Sequence, residues 1–197
     1  MKVAITGHSK LAKNIGDTLT ATPHAGQPFI VKHIRMEDIL MNGTNMWFFD
    51  KENPNHVDAI INNGHQDFDQ TKILEKIHNA WLNDSSKYII NISSRASQPN
   101  ISKGYLYSAQ KASLNQLANN LTYNSKKQYK MTTINLGLLE DERVPSVPYH
   151  VVSGVIHKLL TSWPDLEVSE LTLQAHANYQ EVQSDKEMYR DLDQYLT

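Results

Sequence analysis

Three polar residues in the middle of the sequence have types and spacing suited to acid–base catalysis. Ser94 closes an apolar run, Tyr107 follows thirteen positions later, and Lys111 comes four residues after the tyrosine. Residues four apart share one face of a helix, so the Lys111 ammonium can lie near the Tyr107 hydroxyl. A nearby cation favours the phenolate, and a tyrosine that exchanges its proton readily can serve as a general acid or base.

A second tyrosine–lysine pair has the same spacing, and its surroundings distinguish it from the first. Tyr123 and Lys127 follow no strand that ends in serine. Ser94 lies at the predicted carboxyl end of a buried strand, where its hydroxyl can donate to the oxygen that Tyr107 protonates or deprotonates. We therefore predict a catalytic set of Ser94, Tyr107 and Lys111.

The elements that must position these residues alternate between short apolar runs and longer amphipathic segments. This alternation is typical of a parallel sheet covered by helices. The predicted strands are 2–6, 29–34, 46–49, 58–62, 87–93, 131–136 and 167–174, and the predicted helices are 10–20, 36–42, 68–83, 105–127 and 149–162. We predict one α/β domain over 1–197, a Rossmann-like doubly wound parallel sheet of six to seven strands with helices on both faces, and a helical or partly ordered tail at about 178–197.

Composition excludes several classes of function. The chain has 197 residues, 40% of them hydrophobic, a formal charge of -2 and no cysteine. It is long enough for one core without disulfides, and the charge balance marks no nucleic-acid surface. The nine histidines include no pair spaced as metal ligands on one face, so no metal is predicted. No window is apolar enough for a leader or a membrane span, and we expect a cytoplasmic protein.

Five segments resemble, in order, the motifs of the short-chain dehydrogenase/reductase family. They are VAITGHS (3–9), AIINNGH (59–65), IINISS (89–94), YSAQK (107–111) and INLGLLED (134–141). Together they extend over most of the chain. The resemblance implies a Rossmann-like fold and hydride transfer between a nicotinamide and a small carbonyl or alcohol.

The resemblance also implies a role for each matching residue. Tyr107 would be the acid/base, Lys111 would favour its ionised form and contact the nicotinamide ribose, and Ser94 would orient the substrate oxygen. The implied cofactor-binding residues, besides Tyr107 and Lys111, are Thr6, Gly7, Ser9, Lys10, Leu11, Ala12, Arg35, Asn62, Asn63, Gly64, Leu136 and Gly137. Association into a homodimer or homotetramer is also implied, through the apolar faces of 73–81 and 114–121.

The sequence departs from the family pattern at the first turn. Three glycines are usual there, whereas this chain keeps Gly7 and has Ala12 as the nearest small substitute. Lys10 and Lys13 have two interpretations: they neutralise a phosphate at the helix N-terminus, or they lie on a solvated helix face.

Two further departures concern the cofactor and the proton relay. At the end of the second strand, Lys32, His33 and Arg35 precede Glu37, and this basic cluster favours NADP over NAD, with Arg35 as the candidate phosphate contact. The relay asparagine of the family is replaced near Gln66 or Asp67. The lid segment, 138–150, is short, which predicts a small or open substrate pocket.

Three functions fit these observations. The first is an NAD(P)-dependent oxidoreductase acting on a small carbonyl or alcohol, without nucleic acid or membrane as partner. The second is a non-catalytic Rossmann-fold protein that senses a nucleotide or serves as a subunit, because the lost glycines are what that function predicts. The third is a lyase or epimerase that uses the same tyrosine and retains its cofactor.

Overall fold

The computed structural model describes residues 1–42, 56–98, 104–140, 145–162 and 165–176. Six strands are present there: β1 (Lys2–Thr6), β2 (Ile30–Ile34), β3 (Ala59–Asn62), β4 (Tyr88–Ser94), β5 (Lys130–Leu136) and β6 (Glu170–Leu173). Five helices join them: α1 (Lys10–Ala21), α2 (Met36–Asn42), α3 (Asp69–Trp81), α4 (Tyr105–Asn124) and α5 (Tyr149–Thr161). The predicted Rossmann-like α/β fold is confirmed.

All six strands are parallel and lie in the order β2-β1-β3-β4-β5-β6. The chain moves outward in one direction through β1 and β2, and in the other direction from β3 to β6. The connections therefore diverge at the carboxyl ends of β1 and β3. Open α/β sheets bind ligands in the crevice at such a point, which makes this edge the place to look for a site.

Each face of the sheet has its own hydrophobic core because strand side chains alternate between the two faces. Val3 and Ile5 of β1 belong to the core covered by α1 and α5, and Ala4 belongs to the core covered by α2, α3 and α4. The central strand β4 is buried along nearly its whole length. This two-sided burial explains why its sequence is an unbroken apolar run rather than an alternating one.

Helix α4 carries two of the predicted catalytic residues, and its end differs from the prediction. It ends at Asn124 rather than 127, and Ser125 leaves the helical conformation while its hydroxyl donates to the Leu121 carbonyl at 2.5 Å. A serine that bonds to its own helix end competes with further helix propagation.

The helix segments that are expected to mediate association contribute much of their apolar surface to the core. The apolar residues of 73–81 are buried in the core, as are Leu114 and Ala118. These residues therefore pack on the sheet, whereas Leu117 and Leu121 of the same stretch of α4 are only partly buried. The predicted strand at 46–49 and the predicted tail at 178–197 lie outside the described residues.

Candidate active site

A cavity of about 330 Å³ opens at the carboxyl edge of the sheet. Its lining residues come from the β1–α1 turn, the segment after β3, the ends of β4 and β5, and helices α4 and α5. They are Ser9, Lys10, Leu11, Asn63, His65, Ile92, Ser93, Ser94, Tyr107, Lys111, Leu136, Gly137, Leu139 and Tyr149. Nine of the residues predicted from the sequence, including Ser94, Tyr107 and Lys111, are among them.

The β1–α1 turn depends on Gly7. Its φ of +80° lies in the left-handed region, and a Cβ at this position would be 3.0 Å from the Gly64 Cα. Both constraints favour glycine, because other residues pay a steric cost for that conformation and here also lack space. The turn keeps the one glycine that its bend requires.

Ser9 is the N-cap residue of helix α1. Its hydroxyl oxygen accepts from the Ala12 N–H and from the Asn63 side-chain amide, each at 3.1 Å. The N–H groups of Lys10 and Leu11, the first two of the helix, have no acceptor among the described residues. Free N–H groups at a helix N-terminus attract anions, so these two amides can receive a phosphate oxygen.

Thr6, Ala12 and Asn62 are predicted cofactor residues that do not line the cavity. Thr6 is fully buried, and its hydroxyl oxygen accepts from the N–H groups of Asn63 and Gly64 at 2.9 Å each. Ala12 is also fully buried in the core. Asn62 donates its side-chain amide to the Gln70 carbonyl and to the Asn91 side chain, at 3.0 and 3.1 Å. These residues support the walls of the site from behind.

Ser94 ends β4 and begins a single turn of 3-10 helix, Arg95–Ser97. Its hydroxyl oxygen accepts from the Ala96 N–H at 3.1 Å, which leaves its hydrogen available to a ligand in the cavity. Ser93 also lines the cavity, and its buried hydroxyl has no hydrogen-bond partner among the described residues. Because consecutive strand residues point to opposite faces, Ser94 is the serine whose hydroxyl we assign to the ligand, and Ser93 contributes to the wall.

Tyr107 lies in the first turn of α4 and is half-buried. The His65 ring packs edge-on against it with centroids 4.9 Å apart, and the Lys111 nitrogen is 5.7 Å from the tyrosine ring centroid. His65 is an exposed residue, yet burial of its ring edge, and then the charge of Lys111, lower its pKa below the ordinary value. The His65 imidazole beside Tyr107 is therefore neutral at neutral pH.

Lys111 is buried, with 4% of its surface exposed. Its ammonium donates to the Gln70 side-chain oxygen at 2.6 Å and to the Ile92 carbonyl at 3.1 Å. Burial lowers the pKa of Lys111 to about 8, because transfer from water disfavours the charged form. The lysine is therefore charged at neutral pH but titrates well below an exposed lysine.

The basic residues at the end of β2 lie on the opposite side of the β1–α1 turn. The His33 ring stacks on His8 with centroids 5.6 Å apart, and its Nδ1 is 3.3 Å from the Gly7 carbonyl oxygen. Arg35 is exposed, directly after β2, and does not line the cavity. It is thus next to the turn but outside the enclosed part of the site.

Sequence reasoning missed Gln70, His65 and Tyr149. Gln70 reaches Lys111 from α3, whereas the relay position was expected at Gln66 or Asp67. A signal was present, because Gln70 is the polar member of a buried helical stripe that continues through Ile73, Leu74, Ile77 and Trp81. A glutamine at such a position needs a buried partner.

The described residues contain neither a cluster of metal ligands nor a membrane-spanning helix. No group of three or more histidine, aspartate or glutamate side chains there could hold a metal ion. No helix in that part of the chain combines the length and apolar character needed to cross a membrane.

No protein-family model matches the sequence, and no curated protein is significantly similar to it. Solved structures do share its fold. Serine dehydrogenase from Escherichia coli is 16% identical with a TM-score of 0.70, over 90% of this chain and 100% of the other. An alcohol dehydrogenase from Thermococcus sibiricus complexed with 5-hydroxy-NADP is 14% identical with a TM-score of 0.69, over 91% and 100%. A metagenomic short-chain oxidoreductase in complex with NADP is 18% identical with a TM-score of 0.61, over 89% and 98%.

The chain therefore has the fold of the short-chain dehydrogenases/reductases. At these identities the likeness establishes the fold alone. The general type of function that the neighbours share is NAD(P)-dependent oxidoreduction. The part that the individual residues of this chain play is a separate question.

Proposed function

We propose that this protein is an NAD(P)-dependent oxidoreductase that transfers hydride between a nicotinamide and a small carbonyl or alcohol. The observation that carries the proposal is the convergence of Ser94, Tyr107 and Lys111 on one cavity at the carboxyl edge of the sheet. Proximity of a hydroxyl donor, a phenol and a cation in one pocket is what carbonyl reduction needs at the substrate oxygen.

The described residues fit a dinucleotide. The free N–H groups of Lys10 and Leu11 would hold a phosphate. Gly64 lies behind the turn, where a Cβ would be 2.6 Å from the Met36 sulfur, so it supports the turn from outside the cavity. Asn63, Leu136 and Gly137 line the same cavity and would contact the nicotinamide half. When bound, the cofactor supplies or accepts the hydride, and the protein manages the proton.

The proton would pass between Tyr107 and the substrate oxygen. In the direction of reduction, the phenol gives its proton to the oxygen that becomes an alcohol, and the free hydrogen of Ser94 orients that oxygen. The positive charge of Lys111, 5.7 Å from the tyrosine ring centroid, stabilises the phenolate that remains. Oxidation of an alcohol would use the same groups in reverse.

NADP is the preferred cofactor in this proposal. Lys32 and His33 within β2 and Arg35 directly after it place basic groups near the turn that would hold the pyrophosphate. An arginine there can bind a 2'-phosphate, whereas NAD is usually recognised by a carboxylate. Arg35 is exposed, so it can move to meet the phosphate without a cost in packing.

A non-catalytic nucleotide-binding protein is the second candidate. One observation favours it. The Ser9 hydroxyl oxygen already accepts hydrogen bonds from Ala12 and Asn63, so the turn is held together without a ligand. A lyase or epimerase would use the same residues and would keep its cofactor bound through purification.

The test of the proposal is a comparison of two tyrosine variants. Tyr107→Phe should abolish NADPH-dependent reduction in a panel of small aldehydes and ketones while leaving NADPH affinity within about twofold, because only the proton donor is lost. Tyr123→Phe is the matched control, since Tyr123 lies on the same helix, is 73% exposed, and has the same spacing to a lysine. Equal activity of Tyr107→Phe and the unmodified protein would overturn the proposal.

We also propose that the chain forms a homodimer or homotetramer. The support is the exposed pair Tyr105 and Leu106, which are 82% and 63% exposed at the start of α4, together with the partly buried Leu117 and Leu121 of the same helix. Sedimentation equilibrium should show the oligomer, and a monomer at high protein concentration would contradict it.

A further inference from the structure

The buried lysine of the site is held by a glutamine side chain. Lys111 of α4 donates to the Gln70 side-chain oxygen of α3 at 2.6 Å and to the Ile92 carbonyl of β4 at 3.1 Å. Gln70 and Lys111 are 3% and 4% exposed. The ammonium is therefore shielded from water, and these two acceptors fix its position.

The orientation of Gln70 is determined by its other contacts. Its amide nitrogen donates to the Asn62 carbonyl at 2.8 Å and to the Ile92 carbonyl at 3.1 Å. Both amide hydrogens are thus used by backbone oxygens. A flipped amide would set its oxygen against two carbonyl oxygens and its NH2 group against an ammonium, so only the orientation with the oxygen toward Lys111 is satisfied.

The same carbonyl joins the two side chains. The Ile92 oxygen accepts from both Gln70 and Lys111, one bond for each of its lone pairs. Lys111 has three N–H groups, and the third has no acceptor among the described residues. Lys111 also lines the cavity together with Tyr107, so the remaining donor is the one available to that side.

We propose that Gln70 is a positioning residue of the active site, whose side-chain oxygen holds the Lys111 ammonium at the base of the cavity with one N–H left for the ligand. The effect of Gln70 on catalysis rests on the proposed function, whereas its contact with Lys111 does not. A neutral acceptor suits the role, because a carboxylate would bind the ammonium more strongly and hold it in the charged form.

Among the described residues, the groups around the Lys111 ammonium come from α3, β4, its own helix and the segment after β3. Gln70 contacts it from α3, the Ile92 carbonyl from β4 and the Tyr107 ring from its own helix. His65 interacts with it from the segment after β3 and also hydrogen-bonds to the Gln70 side chain, and Asp67 is a further charge that acts on His65. Of the hydrogen-bond acceptors, only Gln70 can be changed by substitution, which makes it the residue to test.

The experiment observes the lysine ammonium directly in the cofactor-free protein by proton–nitrogen NMR, with the Lys111 signal assigned by its loss in Lys111→Met. In the unmodified protein we expect nuclear Overhauser contacts from the ammonium to the Gln70 side chain, and a titration midpoint near pH 8. Gln70→Met should lower that midpoint by about one pH unit, and Gln70→Glu should raise it by about one to three units.

Controls separate a positioning role from a structural one. Gln116→Met, at an exposed glutamine on α4, should leave the midpoint unchanged. A Gln70 that only stabilised the fold would lower stability without moving the midpoint, and an unchanged midpoint in both Gln70 variants would overturn the inference. Where those variants fail to fold, absence of contacts between the ammonium and Gln70 in the unmodified protein overturns it equally. NADPH titration of the same samples tests the proposed function separately.

Discussion

Replacement of Lys111 by methionine should change how the stability of the protein depends on pH. The pKa of this lysine is about 8 in the folded chain against 10.5 for an exposed lysine, because burial penalises its charge. The difference of two and a half pH units corresponds to about 3 kcal/mol at 1.36 kcal/mol per unit. Methionine keeps much of the volume and carries no charge, so it removes this cost.

The sign follows from proton binding. Because the folded pKa is depressed, the unfolded chain binds more protons between about pH 8 and pH 10.5, and the native state gains stability as pH rises through that window. Below pH 8 the lysine is charged in both states, and the full free-energy cost of burying its charge is present. The free energy of unfolding of the unmodified protein should therefore rise by about 3 kcal/mol relative to Lys111→Met between pH 7 and pH 10.5.

Urea unfolding at several values of pH, followed by circular dichroism, measures this difference. Lys111→Met leaves the Gln70 side-chain oxygen and the Ile92 carbonyl without their donor, which lowers the free energy of unfolding of the variant. That loss is the same at every pH, so it does not change the slope. Lys72→Met is the control, because the Lys72 side chain is 60% exposed and pairs with Asp69 on the surface of α3. A difference between the unmodified protein and Lys111→Met that is flat across this range would refute the reasoning.

Two further predictions concern the first turn and the cofactor. Gly7→Ala should lower the free energy of unfolding by about 1–3 kcal/mol, because the added Cβ makes a 3.0 Å contact at a residue whose φ is already unfavourable for alanine. Gly26 also has a positive φ, but a Cβ there would have nothing within 4 Å. Gly26→Ala should therefore lower the free energy of unfolding by less in the same urea assay. A larger loss for Gly26→Ala would contradict the contribution assigned to the contact. Arg35→Ala should weaken NADPH binding about tenfold with little effect on NADH, as expected for the loss of one charge-assisted bond to a phosphate, and an equal effect on both would remove Arg35 from that role.

Much of the fold followed from periodicity in the sequence. The apolar run that Ser94 closes predicted the buried strand β4, and the alternation of apolar runs with amphipathic segments predicted a parallel sheet covered by helices. These patterns are local, so a single sequence contains them. The predicted ends were less accurate, as β6 begins at Glu170 rather than 167, because strand ends are set by pairing with a neighbour.

Contacts between distant segments could not be predicted in the same way. The bond between Ser9 and Asn63 joins positions 54 residues apart, and it closes a turn whose lost glycines were the main departure from the family pattern. The Gln70–Lys111 contact likewise depends on how α3 and α4 pack, at a sequence separation of 41. Only the polar residue in an apolar helical stripe indicated that such a partner existed.

The central claim is that the altered turn binds a dinucleotide, and direct titration tests it most simply. Purified protein, in excess over NADPH or NADH, should enhance and shift the nicotinamide fluorescence in a saturable manner, with the tighter binding for NADPH. That result would support a phosphate on the free N–H groups of Lys10 and Leu11 and a basic contact after β2. If neither nucleotide binds up to about millimolar concentration, any binding free energy is weaker than about 4 kcal/mol. That result would contradict the account.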